Sequence, residues 1–394
     1  MKKMNGIAKV MTVMAIVAMP ALQAMAADDE PKLTVKPTGR VLMDGAVYLP
    51  DGDGLADGVA LPDIRMGVKA SYGKWSGKID AGYSFNKLSM KDVYIQYSFN
   101  SENYLRAGYF VHQFGLNAAT SSSMKPQMEA ATTDTYFNAT GRNIGLEYVH
   151  DCGPAFLSFS GIVAGTSMTS PSNEQGKVSV GALNRAVWRP CHATGLVAQV
   201  GMSLWYQSAL HKAETAEDGE TVASKGYFNW SAGFPTRVSK EGMLGADVTN
   251  AKGVFKLSPE WLLMKGRIAC EGQYYYMNVA RRTGFESYRA QGVYGLLRGI
   301  LIGSDYGYSH GDAGLATPGK GTLEMVLGYN YTDANQGRSG IHGGISNDAS
   351  MTLNYYFNKY VIGRLRYSYT DVRSSDAQRN RHVNTIQARI QILF

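Results

Sequence analysis

The last ten residues, Thr385 to Phe394, alternate so strictly that a half-buried strand is the reading they favour. Ile386, Ala388, Ile390, Ile392 and Phe394 fall on one face, and Thr385, Gln387, Arg389 and Gln391 on the other. Leu393 alone breaks the pattern. A strand with one apolar face and a terminal aromatic suits a bilayer wall whose ends sit at the membrane–water interface. The same period of two returns in Trp75 to Phe85, where Trp75, Ile79, Tyr83 and Phe85 oppose Ser76, Lys78, Asp80 and Ser84. It recurs in Val93 to Phe99, Leu196 to Tyr206, Leu323 to Tyr331 and Val361 to Tyr369.

A soluble β-sandwich also alternates, so connector lengths must separate the two solutions. Long and short connectors take turns, as outer-membrane barrels require. Pro50 to Pro62 is long, Tyr72 to Trp75 short, Phe85 to Lys91 intermediate, Asn100 to Asn103 short, Val111 to Gly141 very long and His150 to Pro154 short. Gly165 to Lys177 is long, Arg189 to Gly195 short, Ser208 to about Gly242 long and Ser258 to Glu260 short. Asn278 to Glu286, Asp333 to Asn347 and Asp371 to Val383 are long, and Asn358 to Tyr360 is short. Gly303 to Lys320 breaks the rule as a long connector on the short side, with length enough to fold back into the lumen.

The count between connectors is 16 antiparallel strands, an all-β transmembrane barrel, with Tyr227 to Lys256 its least regular stretch. Sixteen strands of about ten residues use roughly 160, leaving about 200 for loops and no need of a plug domain. A barrel of about 22 strands with a plugged lumen would need a longer chain.

Composition agrees. Mean hydropathy is −0.21, and past residue 26 no apolar run reaches the ~18 residues of a spanning helix, so a closed barrel is the remaining way across a bilayer. The abundance of tyrosine (25) and glycine (45) fits interfacial aromatic girdles and tight turns. At the amino end, Lys2 and Lys3 precede an apolar stretch, Val10 to Leu22, and then Ala24-Met25-Ala26. This pattern predicts a signal peptide over 1–26, too short for a membrane anchor, and a barrel domain over 27–394. Removing Lys2, Lys3 and Lys9 lowers the formal charge from +7 to about +4, and no block of like charges marks a nucleic-acid arm. Cys152, Cys191 and Cys270 are too few and too scattered for a disulfide framework or a metal site, although export leaves a Cys152–Cys191 bond open. No cofactor or metal is expected.

Several segments in order resemble the phosphate-selective porin O and P family. They are Gly39-Arg40-Val41-Leu42-Met43-Asp44, Ile64-Arg65-Met66-Gly67-Val68-Lys69, Lys91-Asp92-Val93-Tyr94 and Arg106-Ala107-Gly108-Tyr109-Phe110 running into Thr120-Ser121-Ser122. The likeness continues through Gln127-Met128-Glu129-Ala130, Gly141-Arg142-Asn143-Ile144-Gly145, Leu323-Glu324-Met325, Leu353-Asn354-Tyr355-Tyr356 and Ile386 to Gln391. The resemblance implies a homotrimeric 16-stranded porin of a Gram-negative outer membrane, an inward third loop, and anion preference through lumenal arginines and lysines.

In such a pore, basic side chains at the narrowest ring lower the barrier for anions. Strand parity turns Arg65, Lys69, Lys78, Arg106, Arg364, Arg366 and Arg389 inward, against Asp80, Asp92, Glu147, Glu271 and Glu324. Arg364 and Arg366 share a face about 6.6 Å apart at ~3.3 Å per residue, and Arg389 lies on the next strand. Three guanidinium forks so placed fit oxyanions, unless lumenal acids such as Glu324 neutralise them. Lys125, in the third loop where the family places its constriction, completes the anion-path candidates: Arg65, Lys69, Arg106, Lys125, Arg364, Arg366 and Arg389. Its competing reading is a solvated lysine closed off by Glu129. The interleaved acids favour a weakly anion-selective diffusion channel for small solutes, phosphate or other oxyanions among them, over a strict phosphate pore.

Other functions find less support. None of the seven histidines has a Ser and Asp at a motif spacing, and no GxSxG occurs, so no enzyme is expected. A structural or adhesive barrel with little conductance is the alternative. The charged loop Ser208 to Gly226, with Lys212, Glu214, Glu217, Asp218, Glu220 and Lys225, suits contact with outer-membrane lipid and lipopolysaccharide. Asp51-Gly52-Asp53-Gly54 lacks the closing glutamate of a calcium loop and reads as a glycine turn.

Overall fold

A computed structural model describes residues 31–49, 55–137, 141–164, 178–215, 221–373 and 380–394. The expected leader, the Asp51–Gly54 turn, the Gly165–Lys177 connector and the loop acids Glu217, Asp218 and Glu220 lie outside these residues.

Sixteen strands form one closed antiparallel barrel, each paired with its neighbours in sequence. The first four are β1 (Thr34–Leu49), β2 (Gly58–Tyr72), β3 (Trp75–Ser84) and β4 (Lys87–Ser98). There follow β5 (Tyr104–Val111), β6 (Arg142–Asp151), β7 (Ala155–Ala164) and β8 (Ser179–Ala193). Then come β9 (Leu196–Ser208), β10 (Ala251–Lys265), β11 (Ile268–Arg281) and β12 (Tyr288–Ile302). The last are β13 (Thr322–Gln336), β14 (Ile341–Tyr356), β15 (Val361–Arg373) and β16 (Arg381–Leu393). β16 pairs with β1 from Arg40↔Leu393 to Leu49↔Asn384, and Gly39 and Phe394 exchange backbone hydrogen bonds of 2.8 and 3.1 Å. That seam leaves no open sheet edge, as a bilayer requires.

Alternation assigns the two faces. On β3, Ile79 is 61% exposed and its neighbour Asp80 only 4%. On β16, Ile386 and Ile390 are exposed, as is Phe394 just beyond it, while Thr385, Gln387, Arg389 and Gln391 are buried. The exposed face is thus the apolar one, the inverse of a soluble protein, and the barrel interior takes the polar side chains.

Three connectors differ from the sequence reading. Phe85 to Lys91 is not a loop: β3 and β4 meet through Phe85 and Asn86 alone, with φ of +47° and +62°, a two-residue hairpin that pairs Ser84 with Lys87. Asp333 to Asn347 shrinks to a one-turn helix, Gly337–Ser339, because β13 and β14 remain paired out to Gln336↔Ile341. Ser258 to Glu260 is no turn. Pro259 lies inside β10, where pairing with β11 skips from Leu257↔Tyr276 to Glu260↔Gln273, and the true turn is Gly266–Arg267. Consequently the wall strand starts at Ala251. Gly242–Thr249 instead pairs with Tyr227–Gly233 in a hairpin outside the wall.

Two short helices, α1 (Gly115–Ala119) and α2 (Thr132–Tyr136), lie between β5 and β6 in sequence. Phe114, Tyr136 and Phe137 join Trp205, Tyr275, Tyr288 and Tyr294 in a dry cluster with Phe228 and Trp230 of the hairpin. Gly303 to Lys320 does fold onto inner-face residues. Arg185 Nη1 donates to Asp312 O at 2.6 Å, Gln199 Nε2 to Ala313 O at 2.8 Å, and Tyr308 OH to Gln199 at 2.8 Å. Packing therefore concentrates on the β8–β13 side.

Candidate functional site

Space remains on the β1–β6 side, in a cavity of about 520 Å³. Its wall contributes Arg40, Arg65, Lys78, Arg106 and Arg142, and two loops add Lys125 and Arg237. Against these seven cations stand three carboxylates, Asp80, Asp92 and Asp312. Ser121, Ser122 and Ser123 supply hydroxyls.

Register explains the cations. Residues paired across neighbouring strands share a face, and Arg40 pairs with Arg65 while Lys69 pairs with both Lys36 and Lys78. Two basic rows follow, Arg40–Arg65 across β1–β2 and Lys36–Lys69–Lys78 across β1–β3, four residues or roughly 13 Å apart along the strands. Like charges in such rows repel unless countered. Asp63 takes Arg40 and Arg65 together: Arg40 Nε donates at 3.1 Å, and Arg65 Nε reaches both carboxylate oxygens at 3.1 Å. Arg237 stands 3.6 Å from the same carboxylate. Lys78 reaches Asp80 and Asp92 at 3.1 and 3.3 Å, and Arg142 reaches Asp92 at 2.8 Å. Arg106 is held by Gln96 at 2.8 and 3.1 Å under the rings of Tyr94 and Tyr104.

Lys125 is 3% exposed and donates to the carbonyl and side-chain oxygen of Asn117, not to Glu129. Burial lowers its pKa, against the raising pull of Asp134, whose own carboxyl burial raises. Glu129 belongs to Arg389 and to Arg237, 2.7 Å away. Burial would raise its pKa, but those two guanidiniums hold it at about 2.

The remaining candidates lie elsewhere. Arg364, Arg366 and Arg389 are 4%, 2% and 3% exposed and do not themselves line this cavity. Arg366 pairs with Asp348 at 2.9 Å and Arg389 with Asp44 at 2.5 Å, so the neutralising carboxylates are not Glu324. Arg364 donates to the carbonyls of Lys125 and Ser123, the latter at 2.9 Å. With Asn354 on Pro126 O and Arg389 on Met128 O, both at 2.9 Å, these donors grip the backbone of 123–128 from the wall. From the other side, Lys256 donates to Phe137 O at 2.6 Å and Asn117 N donates to Gln273 at 2.7 Å. Glu324 instead serves Arg298, 2.7 Å away. Lys69 is exposed.

Sequence reasoning missed Arg40, Arg142 and Arg237. The first follows from the parity of β1, which puts Arg40 in phase with Asp44. Arg142 is the first residue of β6, where no flanking alternation marks its face. Arg237 arrives from the loop between Gly233 and Gly242, and no periodicity announces it. The three cysteines are free.

The model of the phosphate-selective porin O and P family matches residues 69–394. No curated protein matches significantly. Among solved structures, an anion-selective porin from Comamonas acidovorans aligns with a TM-score of 0.58 at 12% identity, covering 92% of this chain and 100% of that one. The trimer form of in-vitro folded OmpT, an outer membrane protein of Vibrio cholerae, gives 0.57 at 12%, covering 92% and 99%. The outer membrane channel DcaP of Acinetobacter baumannii gives 0.55 at 13%, covering 94% and 100%.

Proposed function

Since the chain belongs to the phosphate-selective porin O and P family, it is an outer-membrane porin of a Gram-negative bacterium, and we propose that its channel is weakly anion-selective, with phosphate and other oxyanions among its solutes. The observation that carries this reading is the cavity with seven cationic side chains and three carboxylates. Net positive lining lowers the entry barrier for anions. The local ion pairs keep each site from binding them tightly, as conduction requires.

Arg65 and Arg106 are assigned to the anion path together with Arg40 and Lys78, Lys125 borders it, and Lys69, exposed and outside this cavity, is not assigned to it. Arg364, Arg366 and Arg389 act one layer back. Arg364 and Arg389 hold the third loop, which we read as folded inward to constrict the pore, a reading supported by its hydrogen bonds to β10 and β11 on one side and to β14–β16 on the other, whereas Arg366 donates to Pro235 O in the loop between Gly233 and Gly242. The trimer form of the Vibrio neighbour supports a homotrimer. Lipid and lipopolysaccharide are the expected surroundings, the leader over 1–26 is read as cleaved, and no catalytic role is assigned.

The test is the reversal potential of purified protein in a planar bilayer under a KCl gradient. An anion-selective sign is expected. A cation-selective sign, or no single-channel conductance from folded protein, overturns the proposal.

A further inference from the structure

Asp63 sits behind the anion path rather than on it. Arg40, Arg65 and Arg237 line the cavity, while the carboxylate they share does not. Side-chain exposure falls in the same order: 33% for Arg237, 12% for Arg65, 5% for Arg40 and 4% for Asp63. The carboxylate occupies the Nε–Nη2 edges of both Arg40 and Arg65. Those are the bidentate edges that a permeating carboxylate or phosphate would otherwise take. Arg40 Nη1 donates to Ser122 Oγ at 3.0 Å. No second carboxylate is bonded to Arg40 or Arg65 among the described residues, so the group keeps a positive excess that is visible from the cavity while its Nε–Nη2 forks are filled.

We propose that Asp63 is a tethered counter-ion that sets the affinity of this channel for oxyanions: it fills the arginine forks as a covalently held substitute for the solute, so that phosphate is attracted into the cavity but not retained. The inference rests on the anion-selective reading above and names the residue that keeps the selectivity weak. Geometry favours it over a purely structural ion pair. One pair would have neutralised one arginine, whereas three guanidiniums converge on this carboxylate from β1, β2 and a distant loop.

Two measurements test it, both on the full-length protein refolded in detergent and inserted in planar bilayers. In the wild type, inorganic phosphate should block chloride conductance only weakly, with half-block at millimolar concentration or above. In Asp63→Asn, which keeps the side-chain shape but frees the forks, half-block should fall by about tenfold or more, the change that ~1.4 kcal/mol makes in an equilibrium constant. Asp63→Glu should stay near the wild type. Half-block of the wild type at micromolar phosphate overturns the proposal without any variant, so a failure of Asp63→Asn to fold leaves it testable. An unchanged half-block in folded Asp63→Asn also overturns it. In both cases an anion-selective reversal potential would leave the channel assignment standing, whereas cation selectivity would remove that premise itself.

Discussion

Arg185 and Glu260 offer the sharpest test of how the interior is held. Both side chains are fully buried. Arg185 Nη2 and Nε donate to Glu260 at 2.6 and 3.0 Å, and Nη1 reaches Gln113 at 3.1 Å and Asp312 O at 2.6 Å. One guanidinium thus ties β8 to β10, to the segment before α1, and to the connector after β12. Removing one partner of a dry pair leaves an uncompensated charge, a loss of about 3–5 kcal/mol, whereas removing both leaves only lost packing and hydrogen bonds. Arg185→Ala and Glu260→Ala should each destabilise the barrel by about that much. The double variant should be less destabilised than the sum by about 2–3 kcal/mol. The assay is urea unfolding of protein refolded into lipid vesicles, followed by tryptophan fluorescence and by gel mobility of the unheated sample. Additive losses, or single losses under ~1 kcal/mol, would refute the reading of this contact as a desolvated, coupled pair. Arg185→Ala carries a second signature: with Asp312 and Ala313 released, the hairpin around Tyr308 should undock and open-channel current noise should rise, while Glu260→Gln should leave the noise unchanged.

Other outcomes follow from single sites. Gly108 has φ of +142°, and a Cβ there would clash with the backbone of Val93 and Tyr94, so Gly108→Ala should cost about 1–3 kcal/mol and lower the folded fraction on gels; Gly161→Ala, whose Cβ meets nothing within 4 Å, should not. Burial lowers the pKa of Lys125, and a base with a lowered pKa is charged below it and neutral above. Anion preference should therefore weaken as pH rises through a range below the ordinary lysine value of about 10.4, and Lys125→Ala should lose that dependence. Unreduced protein should take up three maleimide groups by mass spectrometry after denaturation, because Cys152, Cys191 and Cys270 are free; a single adduct would reveal a disulfide.

The strand count and the wall's two faces were legible because a membrane barrel writes both in one code: alternate residues must be apolar regardless of what lies inside. β16 is readable residue by residue for that reason. Legibility failed where a local rule met a tertiary exception. Pro259 looks like a turn, but a proline is tolerated where the ladder skips. Phe85 and Asn86 look too ordinary for two consecutive positive φ values. Tyr227–Gly233 and Gly242–Thr249 alternate like wall strands because they too bury one face, in their case on the cluster around Trp230 and Tyr288. The site was half legible. Parity placed Arg65, Lys69 and Arg106 inward, but which inward arginines face open space depends on where connectors fold, and that is written in no period. Arg364 and Arg389 satisfy the same parity as Arg65 and end up gripping a loop.

The seam between β1 and β16 bears on the order in which this protein can be assembled. Arg389, on the last strand, pairs with Asp44 on the first, with Glu129 in the third loop and with the carbonyl of Met128. Until the final strand has zipped onto the first, that loop has no complete seat, and Glu129 would be left without one of its two arginines. Sealing the wall and completing this loop's bonds are therefore one event, reached only when the last strand arrives. An unsealed barrel would be both leaky at its edge and without the full set of bonds that seat this loop, two marks by which an assembly machine could tell it from a completed one.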